Sequence, residues 1–269
     1  MIALASMVLT ACSSDNMEEL VVISDPTDVQ MTFSPYEMSA MTRAAVSIAD
    51  VVTKLDVWIY ESGSEVTAIH QTIADASFGS ITVTLDKTKT YTLYAVGHKA
   101  DEATLSDGVI SFTDDKVTHS MFYTTTFSPA TTTSISCLMT RIVADFRLEI
   151  TDDIPTNAVK FRFTIASVFD RWNVTTGATH GIDRVSTINY GGTSAIFNVY
   201  AIVTDASTTH DVTVTALDEN DQEVQTRTFT DVPLRNGYKT NYRGTFFIDS
   251  QFTPSFTVND WNEYETVDF

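Results

Sequence analysis

An all-β fold of two tandem sandwiches is what this sequence predicts, on three observations. From Thr53 onward apolar residues recur at every second position, and no window sustains a 3.6-residue period with helix caps. The apolar runs are short and separated by turn residues at the spacing that sandwiches show. A length of 269 residues, with 43% hydrophobic and 11% aromatic residues, suffices for two domains with a core each.

The elements follow in order. Leu55, Val57 and Ile59 alternate with Asp56, Trp58 and Tyr60, which predicts a central strand with Trp58 in the core. Ile81, Val83 and Leu85 alternate with threonines, and Tyr91 to Gly97 follows the polar Asp86-Lys87-Thr88-Lys89, so the two runs are expected to form a hairpin. Further strands are predicted at Val109 to Phe112, Met121 to Phe127 and Thr132 to Met139.

A second series begins at Arg141, where Ile142, Ala144, Phe146, Leu148 and Ile150 face one way and Arg141, Asp145, Arg147 and Glu149 the other. Val159, Phe161, Phe163 and Ile165 repeat the pattern after the turn Asp152-Asp153-Ile154-Pro155, and Phe197, Val199, Ala201 and Val203 give another strand. Val212 to Leu217 and Glu223 to Phe229 flank Asp218-Glu219-Asn220-Asp221 as a hairpin. Asn236-Gly237, between Val232-Pro233-Leu234 and Tyr238 to Ile248, is a favoured type I′ hairpin dipeptide.

Residues 13–43 hold Pro26 and Pro35 and one short alternation, Val29-Gln30-Met31-Thr32-Phe33. A single apolar face of three residues cannot stand alone, so this segment must join a sheet or be discarded. The change of pattern around Ser136 to Arg141 divides the remainder into sandwiches at 44–138 and 139–269.

The formal charge of −19 is dispersed along the chain, which excludes nucleic acid as a partner and suits a self-repelling, exposed surface. Two cysteines, Cys12 and Cys137, make no disulfide framework, and Cys137 sits in an apolar run as a small buried hydrophobe. The five histidines stand far apart in metal-free spacing, so no metal and no cofactor are expected. Asp218 to Asp221 lacks a full calcium-loop pattern and reads as a solvated turn. No serine lies in Gly-x-Ser-x-Gly, and Gly191-Gly192 is too short to cradle a phosphate; no catalytic residue is assigned and an enzyme is not expected. Among the tryptophans, Trp172, between Asp170-Arg171 and Asn173, is the candidate for contact with a ligand such as a sugar.

At the N-terminus, Ile2 to Val8 are apolar or small and too few to span a bilayer, and Leu9-Thr10-Ala11-Cys12 follows them as a lipoprotein lipobox. Residues 1–12 are therefore expected to be a signal peptide ending at a lipidated Cys12, which places the protein at the outer membrane, exposed on the cell surface. No Lys or Arg precedes the run, which leaves open a start upstream of Met1.

Taken together, the lipobox, the strand-like segment after it and Thr42-Arg43-Ala44 resemble the fimbrillin family of Bacteroidetes, the type V pilins. So do Arg141-Ile142-Val143-Ala144-Asp145-Phe146, Val232 to Thr240 and Phe256-Thr257-Val258-Asn259-Asp260-Trp261-Asn262. The acidic stretch Ser13 to Glu19 resembles the surface-export signal of the same bacteria. The resemblance implies two transthyretin-like sandwiches and cleavage by an arginine-specific protease between Arg43 and Ala44. It further implies polymerisation with other fimbrial subunits, of the same or another kind, by donation of a C-terminal strand. The candidate donor is 251–269, with Phe256, Val258, Trp261, Tyr264 and Val267 as its apolar positions. Two other readings are an anchor or tip subunit, and a non-polymerising surface lipoprotein that binds glycan or a host protein.

Overall fold

The structure, a computed structural model, describes residues 25–36, 47–192, 195–204, 206–248 and 255–260. In chain order these form β1 (Pro26–Pro35), α1 (Ile48–Val51), β2 (Lys54–Glu61), β3 (Ser64–Thr72), β4 (Ser80–Asp86) and β5 (Tyr91–His98). Then come β6 (Ala103–Ser106), β7 (Val109–Phe112), β8 (Met121–Phe127), β9 (Ser134–Arg141), β10 (Ala144–Ile150) and β11 (Lys160–Asn173). The rest are β12 (Gly177–Asn189), β13 (Ile196–Ala201), β14 (Thr208–Leu217), β15 (Glu223–Leu234), β16 (Tyr238–Gly244) and β17 (Ser255–Asp260). The all-β sandwich expectation holds, and the one α-helix among the described residues is a single turn with a Ser47/Asp50 capping box.

Seven strands run in the order β3-β2-β5-β8-β9-β1-β4. β8 touches β9 through only two register pairs, Met121 with Arg141 and Phe122 with Thr140, so the sheet turns a corner there. The period-two faces explain the fold on either side of that corner. Leu55, Val57, Ile59 and Leu93 from β2 and β5 meet Val29, Met31, Phe33, Ile81 and Val83 from β1 and β4 in one core. The division expected at 138/139 falls inside β9, which runs unbroken to Arg141.

A four-stranded sheet, β13-β10-β16-β17, and a six-stranded array, β15-β14-β11-β7-β6 with β12 also on β11, enclose the second core. Phe146, Phe161, Phe163, Phe197, Phe229 and Phe246 dominate it. A third cluster joins Trp58, Val96 and Phe122 to Ile110 and Phe112 of the β6–β7 hairpin and to Ile142, Val143 and Ile202. The hairpin is from the first half of the sequence yet extends the sheet of the second, pairing Ile110 with Trp172 and Val109 with Asn173.

Two expected hairpins are not formed. β4 pairs with β1 and β5 pairs with β2 and β8, so the polar run 87–90 crosses between layers. β15 pairs with β14 and β16 with β10 and β17, so Asn236-Gly237 passes from one sheet to the other. Only Gly237 of that dipeptide has positive φ, at 79°, whereas a type I′ turn needs both residues there. Asn236 is instead buried, its amide nitrogen donating to the Val203 carbonyl at 2.6 Å and its oxygen accepting from the Val203 N–H at 3.1 Å. The hairpin expected around Asp218 to Asp221 is formed by β14 and β15, with Asp218 accepting from the N–H groups of Asn220 and Gln222.

Candidate functional site

The segment that had to join a sheet or be discarded occupies an inner position. β1 lies antiparallel to β4, from Pro26 opposite Asp86 to Thr32 opposite Ser80, and parallel to β9, from Gln30 beside Ser134 to Pro35 beside Met139. Val29, Met31 and Phe33 are fully or almost fully buried in the first core, while Asp28, Gln30 and Thr32 face solvent. Burying three such side chains stabilises by about 1.5–3 kcal/mol each. A whole domain is stable by only about 5–15 kcal/mol, so β1 supplies a large share of what holds this core together.

Both edges of β1 are satisfied. The Gln30 N–H donates to the Thr133 carbonyl, the Tyr36 N–H to the Met139 carbonyl and the Phe33 N–H to the Gly79 carbonyl, at 2.9, 2.8 and 2.9 Å. Gly79, at φ +83°, has no room for a side chain, because a Cβ there would lie 2.5 Å from Ile48 of α1. Thus α1, whose Ile48 and Val51 are buried, closes the end of the slot that β1 fills. Beside Phe33, Cys137 is fully buried, and burial pushes its thiol pKa up to about 12, so it is the inert structural cysteine expected from its apolar run.

At the other end of the chain, β17 lies antiparallel to β16 at the rim of the four-stranded sheet, with Phe256 opposite Tyr242 and Val258 opposite Thr240. Val258 is 42% exposed. The segment before β17 is held firmly. The Asp152 carboxylate accepts from the N–H groups of Phe246, Phe247 and Ile248 at 2.7, 2.7 and 3.0 Å, and Arg227 donates to the carbonyls of Phe246 and Ile248. From the sequence, Asp152 is a turn residue near Pro155; its role in holding residues 246–248 is visible only in the fold.

Cys12, Arg43, Ala44, Trp261, Tyr264 and Val267 lie outside the described residues. Trp172 is half-buried and packs on the third cluster, 6.0 Å from the Phe122 ring, with Gly177 close against its own ring. Its indole Nε1 is buried and makes no hydrogen bond among the described residues. Trp58 is in the core, as expected. Histidines that stand far apart in sequence are partly gathered: His70 Nδ1 and His98 Nε2 lie 2.6 and 2.5 Å from opposite oxygens of the buried Asp56. Among the described residues no three or more His, Cys, Asp or Glu side chains are grouped as metal ligands, and no helix is long and apolar enough to cross a membrane.

A family model described as a family of unknown function, DUF6562, matches residues 112–267. No curated protein matches the chain. Among solved structures, the chain is similar to a candidate cell adhesion protein from Bacteroides uniformis, with 15% identity over 88% of this chain and 99% of that one and a TM-score of 0.55. It is similar to a candidate adhesin from Bacteroides thetaiotaomicron, at 12% identity, 87% and 96% coverage and a TM-score of 0.53. A third, described as candidate polysaccharide binding proteins from Bacteroides thetaiotaomicron, gives 11% identity, 87% and 96% coverage and a TM-score of 0.56. At these identities the likeness is one of fold.

Proposed function

The chain belongs to the family of unknown function DUF6562, and from that premise we propose that it is a structural subunit of a surface fimbria that serves adhesion. It is carried to the outer membrane as a lipoprotein through Cys12 and is joined to other subunits by strand exchange after cleavage between Arg43 and Ala44. The inner position of β1 carries this reading. Once the bond after Arg43 is cut, β1 is no longer continuous with the chain that follows, and its hold on the sandwich is non-covalent, through hydrogen bonds to β4 and β9, the Thr84 hydroxyl bond to Asp28, and Val29, Met31 and Phe33 in the core.

Displacing β1 frees two strand edges and an apolar slot at once, and such an edge recruits another strand. The incoming strand must present apolar side chains at alternate positions; the segment 251–269 offers Phe256 and Val258 in that spacing, with Trp261, Tyr264 and Val267 beyond them, where Asn259, Asp260 and Asn262 interrupt the pattern. Among the described residues β17 is an edge strand, paired with β16 alone, so its release breaks one strand pairing. The strand then comes from one copy and the slot from the next, a head-to-tail contact that does not close and so extends into a fibre. Loss of residues 1–43 removes six acidic residues and one basic one, bringing −19 to −14. Copies of that charge repel, so association rests on strand pairing and apolar contacts. The lipid departs with residues 12–43, leaving each subunit attached through its neighbours. In this reading the chain forms two sandwich domains that meet just after β9, which belongs whole to the first, and the first is completed by β1 and later by the donated strand.

The reading is tested by treating the purified chain with an arginine-specific protease and imaging it by electron microscopy. A discrete cut after Arg43 followed by fibres is expected, with neither in Arg43→Gln. A clean cut that yields only monomers refutes the polymerising subunit.

A further inference from the structure

On the outer face of the first sheet, away from the slot that β1 fills, an open cleft of about 540 Å³ lies between Tyr60, Thr92 and Tyr94 on one side and Leu105, Asp107 and Val174 on the other. Its aromatic wall follows from strand alternation. Tyr60 and Tyr94 stand on the opposite faces of β2 and β5 from Ile59 and Leu93, which are in the first core. The two rings meet edge to face, with centroids 5.7 Å apart and planes at 69°, and pack inward on the third cluster. Each keeps partial exposure toward the cleft.

The rim is rigid. Ser62-Gly63 between β2 and β3, at φ 51° and 86°, and Asp107-Gly108 between β6 and β7, at φ 50° and 73°, are two-residue turns with both residues at positive φ, the geometry that best fits twisted hairpins. The Val174 N–H donates to the Gly108 carbonyl at 2.9 Å and ties the second turn to β11. The Tyr60 hydroxyl donates to Glu65 at 3.3 Å, which fixes its ring. A site whose walls are already ordered loses little entropy on binding.

We propose that this cleft binds a neutral saccharide. A sugar ring has apolar C–H faces and a rim of hydroxyls, and the cleft offers the matching pair: two tyrosine rings set as adjoining walls, with the Thr92 hydroxyl and the exposed Asp107 carboxylate as polar partners. No Lys or Arg lines it, and Glu65 lies at the Tyr60 hydroxyl, so anionic sugars and phosphates are disfavoured. The site uses neither β1 nor β17 and is independent of strand exchange. It also differs from the sugar contact expected at Trp172, whose ring packs against Phe122 and Gly177.

The uncut, monomeric chain is titrated by calorimetry with maltose, cellobiose, lactose, mannobiose and diacetylchitobiose, and with a sialylated lactose as the anionic counterpart. At least one neutral disaccharide is expected to saturate, with Tyr94→Ala and Asp107→Asn each weakening it by about tenfold or more and the sialylated sugar not binding. Asp107→Asn lies in an exposed turn that tolerates asparagine at positive φ, so its effect does not depend on refolding the core. Failure of all five neutral sugars, binding that both variants leave unchanged, or preference for the anionic sugar overturns the assignment. None of these results bears on fibre formation.

Discussion

Phe33 of β1 lies beside Cys137 of β9 in parallel register, and both side chains are buried in the same core. In a Cys12→Ser chain, Cys137 is the sole thiol and reports on that slot. The folded, uncut protein is expected to resist a maleimide reagent, because the thiol is inaccessible and its pKa is pushed up to about 12. After cleavage at Arg43 and loss of β1, labelling should become rapid, and it should slow again when fibres form. Labelling that is equally slow at all three stages would mean that the slot never opens.

Truncation of β1 side chains separates its buried and exposed faces. Met31→Ala leaves a cavity in the first core and is expected to lower stability by about 2–5 kcal/mol, whereas Thr32→Ala, on the solvent face, should change it by less than about 0.5 kcal/mol. Urea unfolding of the uncut chain measures both. Once β1 has been replaced in the fibre, the two variants should unfold alike.

Asp152 governs how firmly the chain is held before β17. Asp152→Ala leaves three N–H groups without their charged acceptor. Hydrogen exchange of Phe246 to Ile248 should then report an opening free energy lower by about 1.5–3 kcal/mol. Unchanged protection there would show that Arg227 alone holds the segment.

His119 sets an acid limit on stability. Burial, followed by the positive charges of Lys99, Arg141 and Lys239, lowers its pKa from 6.5 to about 3, and the Tyr200 hydroxyl stands 2.7 Å from its Nε2. Between these two values the unfolded chain binds a proton that the folded one does not, so this contribution is present above 6.5 and is lost as pH falls toward about 3. The urea midpoint of His119→Gln should therefore decline less steeply across that window than that of the parent protein. Parallel pH profiles would assign the acid sensitivity to other groups.

The strands were legible wherever one face was buried and the other wet, since period two is then written residue by residue. Val109 to Phe112 and Met121 to Phe127 coincide with β7 and β8. β3 and β12 escaped notice because both are largely exposed and their apolar positions do not alternate cleanly. Partners were less legible than strands. The runs that became β4 and β5 adjoin in sequence but lie in different layers, and Asn236-Gly237 links two sheets, because the choice of partner depends on burial contributed by distant residues. The Val29 to Phe33 alternation disclosed a strand in need of a sheet; its parallel neighbour, about a hundred residues later in the chain, was not recorded locally. The paired tyrosines were equally hidden, since Tyr60, Tyr94 and Asp107 converge only through three separate elements.

The central claim is that a strand from a neighbouring subunit takes the place of β1. Cys137, which lines that place, can be trapped against the incoming segment. Single cysteines are introduced by Phe256→Cys, Val258→Cys, Trp261→Cys, Tyr264→Cys or Val267→Cys in a Cys12→Ser background, fibres are grown after cleavage, and a short bifunctional thiol reagent is added. The account predicts covalent ladders from at least one donor position, abolished when Cys137→Ala is combined with it. Fibres that give no ladder from any of the five positions would contradict it.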